Sequence, residues 1–565
     1  MLNTRFVLRG LPAILLVLMS LPAAAQSFRV QCPTSTITHP VDANNNAEPL
    51  YTGPTTLVPN AKGYLVPSTK AGDISANGAI KCQQISGGDG YSTMGDGTQT
   101  YMFSFGPLSG LADIANGMPG TEFPAVFNVP YSGATLQPGD PATTDGNIPL
   151  APGTGILTGF TYNGAVGQVK DADCLSDPLC APKIAATGID GHVDPRPIMD
   201  VGVMNGNIPA PLMAIDEDDE FFLTLTNVGM IMRPDLFEQH TVHFHGYPNA
   251  SAFYDGVPDA SVAINIGASF TYYYLAPDAG TYFWHCHITP PEHLQMGMVG
   301  QLYVRPRQNR VANTTTLYAA LQAQQSDLRT ACNSSADILC SNPLPAGGDN
   351  GAKGGGIDPT THEGVKKFAY NDGDGSTAYD VEYPLQIHGF DPNFHFVGMT
   401  FNPEGFADMK DKYFLLNGRS YPDTVTAGPL QTQSADGVNH FSQPLPSIIN
   451  IPAGQRALLR ISDLDVSEYQ TLASLGIPMK VIGYNAKLLR DQAGNNLYYN
   501  TNSITLAGGE SLDVILDTCS VPRDATGNCA TPMSPGTYYL YTPNLDHLSN
   551  DAENFGGLMT EVHIS

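Results

Sequence analysis

The chain has 565 residues, a formal net charge of −27 and only 14% charged residues. Such an acidic chain is unsuited to nucleic acid or to an anionic membrane surface, because both would repel it. Its 58 glycines, 45 prolines and 26 tyrosines favour turns and strands over long helices. We therefore predict an all-β protein, whose length allows about three to four domains.

The first 25 residues have the pattern of an export signal. Arg5 and Arg9 supply the positive charge, residues 11–21 form the apolar stretch, and Ala23-Ala24-Ala25 is a small-residue cleavage site. No later stretch stays apolar for the roughly 18 residues that a membrane span requires. We expect an exported protein, periplasmic or extracellular, with no membrane span.

Residues 26–195 are predicted to form an irregular, β-rich N-terminal region. They are dense in Gly, Pro, Asn, Asp and Ser, with short strand-like runs such as 100–105. His39 and His192 are isolated in the sequence, so we expect polar surface residues rather than ligands.

A first domain is predicted over residues 196–306. A turn at 205–209 leads to a strand at 221–227, and another strand follows at 269–275. The acidic run 216–220, between the turn and the first of these strands, is expected to be a solvated loop.

Histidines concentrate inside this domain. Six of the 14 lie between residues 240 and 298, together with a cysteine and two methionines. The first motif is His240-Thr241-Val242-His243-Phe244-His245-Gly246, and the second is Trp284-His285-Cys286-His287 followed by His293, Met296 and Met298.

Strand geometry divides these residues into two sets, because side chains two apart on a strand share a face. His240 and Cys286 then face one side, where the following loop can add His293 and a methionine. The other face collects His243, His245, His285 and His287. Two imidazoles, a thiolate and a thioether are the ligands of a blue-copper electron-transfer centre. An all-imidazole cluster suits a copper that meets oxygen or another small oxidant.

These motifs, with Gly280-Thr281-Tyr282-Phe283 before the second, resemble those of the multicopper oxidases. That family includes the laccases and, more distantly, the copper nitrite reductases. The resemblance implies tandem cupredoxin-like Greek-key β-sandwiches. It assigns a type 1 copper to His240, Cys286, His293 and Met298, with Met296 as the alternative axial ligand. It assigns type 2 and type 3 copper, and the catalytic role, to His243, His245, His285 and His287. His293, expected on an exposed loop, would be the edge at which electrons enter.

One spacing departs from the laccase pattern. Five residues separate His287 from His293, whereas laccase-like sequences have a shorter segment here and nitrite reductases a longer one. The resemblance therefore leaves a nitrite-reductase-like enzyme open. Against it, His243 occupies the position of an aspartate typical of nitrite reductases.

Residues 307–375 are predicted to be a linker, in which the Asp372–Gly375 segment forms a plain turn rather than a calcium loop. Residues 376–565 then repeat the first domain: the run 417–422 echoes the opening turn, and 536–543 echoes the cysteine strand. We expect a second cupredoxin-like domain without type 1 copper ligands. The residues at the six ligand positions are Ile477, Lys480, Ile482, Tyr541, Thr542 and Pro543.

Nine cysteines make an odd number for an exported protein. Neighbours in sequence suggest the pairs Cys174–Cys180, Cys332–Cys340 and Cys519–Cys529, which leaves Cys32 to pair with Cys82. Cys286 remains unpaired, and copper ligation explains why.

The predicted function is a copper-dependent oxidoreductase of multicopper oxidase type. A small reducing substrate or a metal ion would give single electrons to the type 1 copper, and oxygen would be reduced at the histidine-bound site. The full cluster of the family needs further His-x-His motifs, which this chain lacks. A reduced cluster, a homo-oligomer or a partner protein could resolve this, and His547 is the histidine that we single out for a neighbouring subunit. The alternatives are a nitrite-reductase-like enzyme and a blue-copper electron carrier or structural protein.

Overall fold

The computed structural model describes residues 30–110, 113–114, 116–128, 206–230, 233, 236, 238–246, 252–276, 278–326, 343–356, 366–398, 405–433, 439–524 and 527–565. The predicted export signal, His192 and the pairs Cys174–Cys180 and Cys332–Cys340 lie outside the described residues. None of the described helices is long and apolar enough to cross a membrane.

The first half of the described chain is a sandwich of two four-stranded sheets, which confirms the all-β prediction. Its strands are β1 (Leu57–Pro59), β2 (Leu65–Pro67), β3 (Ile80–Thr93), β4 (Gln99–Pro107), β5 (Met213–Asp216), β6 (Glu220–Gly229), β7 (His243–Phe244), β8 (Ser269–Leu275), β9 (Gly280–His285) and β10 (Val299–Arg305). One sheet has the order β4-β3-β6-β8 and the other β5-β10-β9-β7, while β1 and β2 form a separate hairpin.

Two strands of the N-terminal region belong to this sandwich. β3 pairs in parallel with β6, with Cys82 opposite Phe222, and β4 pairs antiparallel with β3. The sequence-based boundary at residue 195 therefore separates strands that share a sheet. The sequence concealed β3 because it is buried along most of its length on both faces, which removes the alternation of apolar and polar residues that marks a half-exposed strand.

An aromatic core joins the two sheets. Phe105 of β4 lies 5.2 Å from Trp284 of β9 between ring centroids, and Phe244 of β7 lies 4.9 Å from Tyr274 of β8. Burial of each such ring stabilises the fold by about 2 to 3 kcal/mol before conformational entropy is subtracted. The core therefore anchors β7 and β9, the two strands that carry histidines, to the opposite sheet.

Short helices connect the strands. The α-helices are α1 (Pro124–Phe127), α2 (Pro290–Gln295), α3 (Leu317–Gln324) and α4 (Pro392–Gly398), and the 3-10 turns are Asp42–Asn44, Ala252–Tyr254, Arg307–Asn309, Phe406–Asp408, Asp423–Val425 and Leu545–His547. Helix α3 lies in the predicted linker and is capped by Thr316, whose hydroxyl accepts the Ala319 N–H at 3.3 Å. Strand β11 (Lys367–Phe368) lies at the end of the predicted linker and pairs with β12 (Ala378–Tyr379), which lies beyond the linker boundary at residue 375.

The acidic run 216–220 is buried, so its prediction as a solvated loop was wrong. Cations from distant parts of the sequence surround it: Arg307 Nη2 lies 2.8 Å from Asp218, and Arg310 Nη2 lies 3.7 Å from the same carboxylate. Lys81 pairs with Glu48 at 2.9 Å beside Asp216 and Asp219. This network ties the N-terminal region and the start of the linker to the first sandwich.

The second half is a second sandwich. Its strands are β13 (Val381–Phe390), β14 (Tyr413–Leu416), β15 (Leu430–Gln433), β16 (Asn439–Ser442), β17 (Ile449–Ile451), β18 (Arg456–Asp463), β19 (Gln470–Leu475), β20 (Met479–Tyr484), β21 (Lys487–Leu488), β22 (Tyr499–Thr501), β23 (Ser503–Leu506), β24 (Ser511–Asp517), β25 (Gly536–Tyr541) and β26 (Met559–Ile564). One sheet runs β14-β13-β18-β24-β20-β21, with β22 on β20, and the other runs β17-β26-β25-β19-β23. Strands β15 and β16 form their own hairpin. The two large sheets enclose an aliphatic core that includes Ile477, at one of the positions that match a first-half ligand.

A polar interface joins the two halves through β9 and β10. The Thr281 hydroxyl donates to Asp513 at 2.7 Å, and the Gln301 amide donates to the Ser462 hydroxyl at 2.9 Å. Glu382 bridges Arg460 of its own half at 3.0 Å and Arg305 of the first half at 3.4 Å. Because most of these groups are buried, their pairing fixes how the halves meet.

Two of the four predicted disulfides fall within the described residues, and both form. Cys32 is bonded to Cys82 and Cys519 to Cys529. Cys286 is buried and is the free cysteine of the described chain. The first bridge fastens the N-terminal segment to β3.

We predict that Glu382→Gln destabilises the protein at neutral pH. Burial alone would raise the pKa of Glu382, but Arg460 and Arg305 lower it to about 2. Since the folded-state pKa lies below the ordinary value of 4.5, the stabilisation is complete above about pH 4.5 and is lost as the pH falls towards 2. The expected loss at pH 7 is about 3 kcal/mol, measured by denaturant unfolding.

The control is Lys487→Gln, which removes an exposed pair with Asp278 at 3.1 Å and should change stability by less than about 1 kcal/mol. Equal effects of the two substitutions at pH 7 would show that the Glu382 bridge does not hold the halves together.

Candidate metal centre

The site is built around the end of β9. Its last residue, His285, pairs with Val299 of β10 on one side and with His243 of β7 on the other. The next residue, Cys286, donates its backbone N–H to the Met298 carbonyl at 3.1 Å. The chain therefore stays extended past the strand, and side chains at successive positions point to opposite sides.

Cys286 lies with His240 and His293, as the sequence predicted. The sulfur and one nitrogen from each ring lie within 4.8 Å of one another, and all three residues are buried. The His293 Nδ1 atom is 3.2 Å from the sulfur, which also accepts the Thr241 N–H at 3.4 Å. Both ring nitrogens of His240 are buried without a hydrogen-bond partner. A buried imidazole with no hydrogen-bond partner beside a thiol suits a metal ligand, because buried polar groups otherwise have partners.

The second predicted set lies on the opposite side of the strand end. Ligand nitrogens of His243, His245 and His285 lie within 4.8 Å of one another, and the Nε2 atoms of His245 and His285 are 3.0 Å apart. The His287 ring is 5.0 Å from that of His243 between centroids but is not part of this set of three. We call His243, His245 and His285 the imidazole cluster.

Burial favours the neutral form of three of these rings, which is the form that binds metals. Burial and the neighbouring His243 lower the pKa of His245 to about 4, although a hydrogen bond to the Gly509 backbone opposes the shift. Burial also places the pKa of His285 and of His240 well below the usual range. For His293, burial lowers the pKa, but the Cys286 thiol and Glu238 raise it to about 9.

His293 is fully buried, so its expected place on an exposed loop was wrong. It lies in helix α2, and its Nε2 atom is 3.5 Å from the partly exposed Glu238 carboxylate. The exposed loop was an implication of the family resemblance. Prolines at the first positions of a helix are favourable, and here Pro290 and Pro291 start α2.

Met296 and Met298 are both buried in the core that contains Cys286. The Met298 N–H donates to the His293 carbonyl at 2.8 Å, and its carbonyl accepts the Cys286 N–H. Backbone hydrogen bonds thus connect Met298 to His293 and to Cys286, which both belong to the group of residues around the sulfur.

Strands β3 and β4 supply parts of the site that the sequence analysis missed. A Cβ atom on Gly87 would lie 2.6 Å from the His240 ring, so only glycine leaves room for this ring. The Phe103 ring packs edge-on against His293, with 5.2 Å between centroids. The Gly87-Gly88 pair is a signal of close backbone approach, but its partner could not be named from sequence.

Two histidines of the second half, His388 and His395, hydrogen-bond to backbone carbonyls of helix α2. His388 Nε2 lies 2.9 Å from the Leu294 carbonyl, and His395 Nε2 lies 2.9 Å from the Gln295 carbonyl. The Gln295 amide donates to Asp411 at 2.9 Å. These contacts fix the segment that carries His293.

Two other histidines differ from expectation. His547 is buried, stacks on Phe414 with 3.7 Å between centroids, and bonds Gln470 and Glu468 at 3.0 Å each. It is therefore not available to a neighbouring subunit. His39 was expected at the surface but is buried between the Glu220 carboxylate and the Asn77 carbonyl, each at 2.9 Å.

Two cavities between the halves reach the imidazole cluster. One of about 470 Å³ is lined by His245, His285, helix α2 and the segment 465–469 of the second half. The other, of about 600 Å³, is lined by His243, His245 and Asp255 with residues of the second half. A small molecule from solvent has a path to these rings.

The part of the chain that carries the site is similar in sequence to known proteins. Residues 190–309 match the family model described as multicopper oxidase. A laccase of Aspergillus fumigatus is 34% identical over 109 residues, which cover 19% of this chain and 17% of that enzyme. The multicopper oxidase MmcO of Mycobacterium tuberculosis is 31% identical over 150 residues, covering 24% and 28%. A copper-containing nitrite reductase of Rhizobium meliloti is 34% identical over 109 residues, covering 18% and 26%.

The matched region thus spans less than a third of each of these relatives. Among solved structures, the blue copper oxidase from Nitrosomonas europaea aligns over 64% of this chain and 78% of its own, with 21% identity and a TM-score of 0.39.

We predict that His395→Phe destabilises the protein. The new ring can keep the stacking on Phe390, now at 3.7 Å between centroids, but it removes the one N–H that the neutral imidazole can donate to the carbonyl of Tyr101 or Gln295. An unpaired buried acceptor costs about 1 to 3 kcal/mol, so the thermal midpoint should fall by about 2 to 5 °C.

His563→Phe is the control, since this ring is 39% exposed and bonds Glu561 at its own strand. If the two variants unfold at the same temperature, the hydrogen bonding of the buried His395 ring contributes nothing to stability.

Proposed function

We propose that the protein is a copper-dependent oxidoreductase, on the premise that residues 190–309 match the multicopper oxidase family model. It would oxidise a small reducing substrate or a metal ion in one-electron steps and reduce oxygen. One observation carries the proposal: a buried thiol with two imidazoles and a separate cluster of three imidazoles flank the same dipeptide, His285-Cys286.

The residues fit copper in both places. His240, Cys286, His293 and Met298 would hold a type 1 copper, because a thiolate with two imidazoles and a thioether is its characteristic set. His243, His245, His285 and His287 would hold type 2 or type 3 copper. Copper in these sets supplies one-electron transfer and the reduction of oxygen.

The chain itself connects the Cys286 sulfur to the imidazole cluster and keeps the sulfur away from water. Peptide bonds join Cys286 to His285 and His287, and His285 Nδ1 lies 2.6 Å from the Cys286 carbonyl, which closes a short hydrogen-bonded ring. Cys286 and Trp284 are fully buried, so water is kept from the sulfur. An electron leaving the sulfur therefore has a covalent route to the imidazole cluster and no solvent beside it.

Electron entry would take place where Glu238 covers His293. Its carboxylate is 25% exposed and lies 3.5 Å from the buried His293 Nε2 atom. Only the His293 side chain would separate a reducing substrate bound there from the Cys286 sulfur. The negative charge of Glu238, whose pKa the His293 hydrogen bond lowers, favours a donor that is a cation or carries an N–H or O–H group.

A homo-oligomer would complete the imidazole cluster. The described second-half residues that line the two cavities offer carboxylate, hydroxyl and backbone groups but no imidazole. A second copy that docks over either cavity could supply the missing ligands by cyclic association.

A nitrite-reductase-like reaction is the second candidate. The match to a copper-containing nitrite reductase and the long spacing from His287 to His293 favour it. His243 at the position of the expected aspartate opposes it, although the Asp255 carboxylate lies 3.6 Å from the His243 ring.

Export to the periplasm or the extracellular space agrees with the two disulfides of the described chain, because disulfides persist in oxidising compartments. The same compartments would give access to oxygen and to external donors.

Copper counting tests the proposal. The protein should bind three or more copper ions per chain and consume oxygen with a reducing substrate, as measured by metal analysis and oxygen uptake. Cys286→Ser should remove one copper together with the intense thiolate absorption and lower the rate at least 100-fold, about the effect of losing a metal ligand set. The remaining copper should still give an electron paramagnetic resonance signal.

The sulfur control is the double variant Cys519→Ala with Cys529→Ala, which removes a disulfide of the second sandwich and should keep the thiolate absorption. One copper per chain would instead identify an electron carrier. Two copper ions with nitrite turnover would establish the second candidate in place of the first.

A further inference from the structure

Two buried aspartates meet where the second half contacts helix α2. A Cβ atom on Gly389 of β13 would overlap Asp411 Oδ2 and would lie 2.6 Å from Asp465 Oδ2, so both carboxyl groups crowd the same side of this strand. Both side chains are buried. If both groups were ionised, two negative charges would face each other away from water, which is costly.

The hydroxyl of Ser467 connects the two carboxyl groups. It lies within hydrogen-bond distance of Asp411 Oδ2 and is 3.0 Å from Asp465 Oδ1. A serine hydroxyl has one proton to donate, whereas an ionised carboxylate can only accept. Both contacts are therefore hydrogen bonds only if one of the two acids keeps its proton and donates it to the serine oxygen.

The remaining contacts indicate which acid keeps the proton. Asp465 accepts the Ser467 N–H at 2.8 Å and the Gln470 amide at 2.6 Å, and such donors stabilise an ionised carboxylate. Asp411 accepts one amide N–H, from Gln295 at 2.9 Å, on its other oxygen. The proton therefore belongs to Asp411, and the chain runs from its O–H through the serine hydroxyl to the Asp465 carboxylate.

The surrounding charges act in the same direction. Burial raises the pKa of Asp411 well above its ordinary value of 3.8, and the negative charges of Asp465 and Asp391 raise it further. Asp465 also faces Asp463, whose pKa burial raises, and His388, whose pKa burial lowers. Neither of these two neighbours brings a positive charge at neutral pH, so the proton on Asp411 is what relieves the repulsion.

Gln295 connects this pair to helix α2. Its amide nitrogen donates to Asp411 Oδ1, and its amide oxygen accepts the Asp391 N–H at 3.1 Å. Because a backbone N–H can bond only to the amide oxygen, the amide nitrogen must point at Asp411. Asp465 and Ser467 also line the cavity of about 470 Å³, through which protons from solvent can reach the pair.

We propose that Asp411, Ser467 and Asp465 form a proton-dependent clasp that fixes helix α2 to the second half. We call these three residues the aspartate clasp. With the proton in place, one hydrogen-bonded chain joins the two acids and Asp411 stays against Gln295. Without the proton, the two carboxylates repel each other and the end of helix α2 loses this partner. The clasp requires no copper, so its failure and the failure of the proposed function are separate results.

Asp411→Asn in the full chain tests the proposal, because the asparagine amide can donate to Ser467 as the protonated acid does but cannot ionise. The folded-state pKa of Asp411 lies above the ordinary value of 3.8, so the stabilisation is complete below that value and is lost as the pH rises towards the folded-state pKa. In denaturant unfolding, the unfolding constant of wild type should rise relative to that of the variant by about tenfold per pH unit above about pH 4, until it levels off.

Amide hydrogen exchange reports on the helix itself. The Met296 N–H donates to the Glu292 carbonyl at 2.9 Å at the end of helix α2. Its protection, corrected for the intrinsic pH dependence of exchange, should fall with rising pH in wild type and stay constant in Asp411→Asn. Protection that falls equally in both proteins would contradict the clasp.

Asp391→Asn is the matched control. Asp391 is also buried and also contacts Gln295, but its two carboxylate oxygens accept backbone N–H groups, from Asn393 at 2.9 Å and from Lys410 at 2.7 Å, so these contacts need no proton. This variant should lose stability but keep the pH dependence of wild type. If Asp411→Asn keeps that pH dependence as well, the proposal is overturned.

Ser467→Ala decides the question if Asp411→Asn does not fold. Infrared spectra of wild type at neutral pH should contain the carbonyl band of the protonated Asp411 carboxyl group. Removal of the serine oxygen, which accepts its O–H, should shift that band. Identical protonated-carboxyl bands in wild type and Ser467→Ala would overturn the proposal.

Discussion

The extended backbone at the end of β9 is the constraint on which the site depends. Because successive side chains point to opposite sides, Cys286 enters the buried set with His240, while His285 enters the imidazole cluster. Pairing of β9 with β10 and β7 prevents a shift by one residue, which would exchange the two sides. Two chemically different metal environments thus lie one peptide bond apart.

The second sandwich has other residues at the positions that match the candidate ligands of the first, yet it helps to shape the first-half site. Its sheet meets β9 through Thr281 and Asp513, His388 and His395 contact helix α2, and Gly509 lies against the His245 ring. Supporting contacts of this kind fix the positions of the residues that they touch. The second sandwich therefore supports a site whose candidate ligands lie in the first half.

The N-terminal region is likewise part of the site. Strand β3 runs beside β6 in the first sandwich, and Gly87 leaves the space that His240 occupies. Buried polar groups join this region to the acidic run: the Ala79 N–H donates to Asp219 at 2.7 Å, and Glu48, the partner of Lys81, lies beside Asp216 and Asp219. A charge is tolerated in the interior only when it is paired there, and cations such as Lys81 and Arg307 let an acidic run that looks solvated in sequence lie in the interior.

The sequence by itself determined the fold class, the repeat of two sandwiches and the division of ligands into two sets, because strand periodicity and the spacing around Cys286 are local properties. It also indicated the Cys32–Cys82 pair by elimination. Tertiary structure alone decided that His293 is buried in a helix, that 80–107 completes the first sheet, and that Gly509 meets His245. Each of these depends on contacts between residues far apart in the chain, and no local pattern encodes which distant groups will meet.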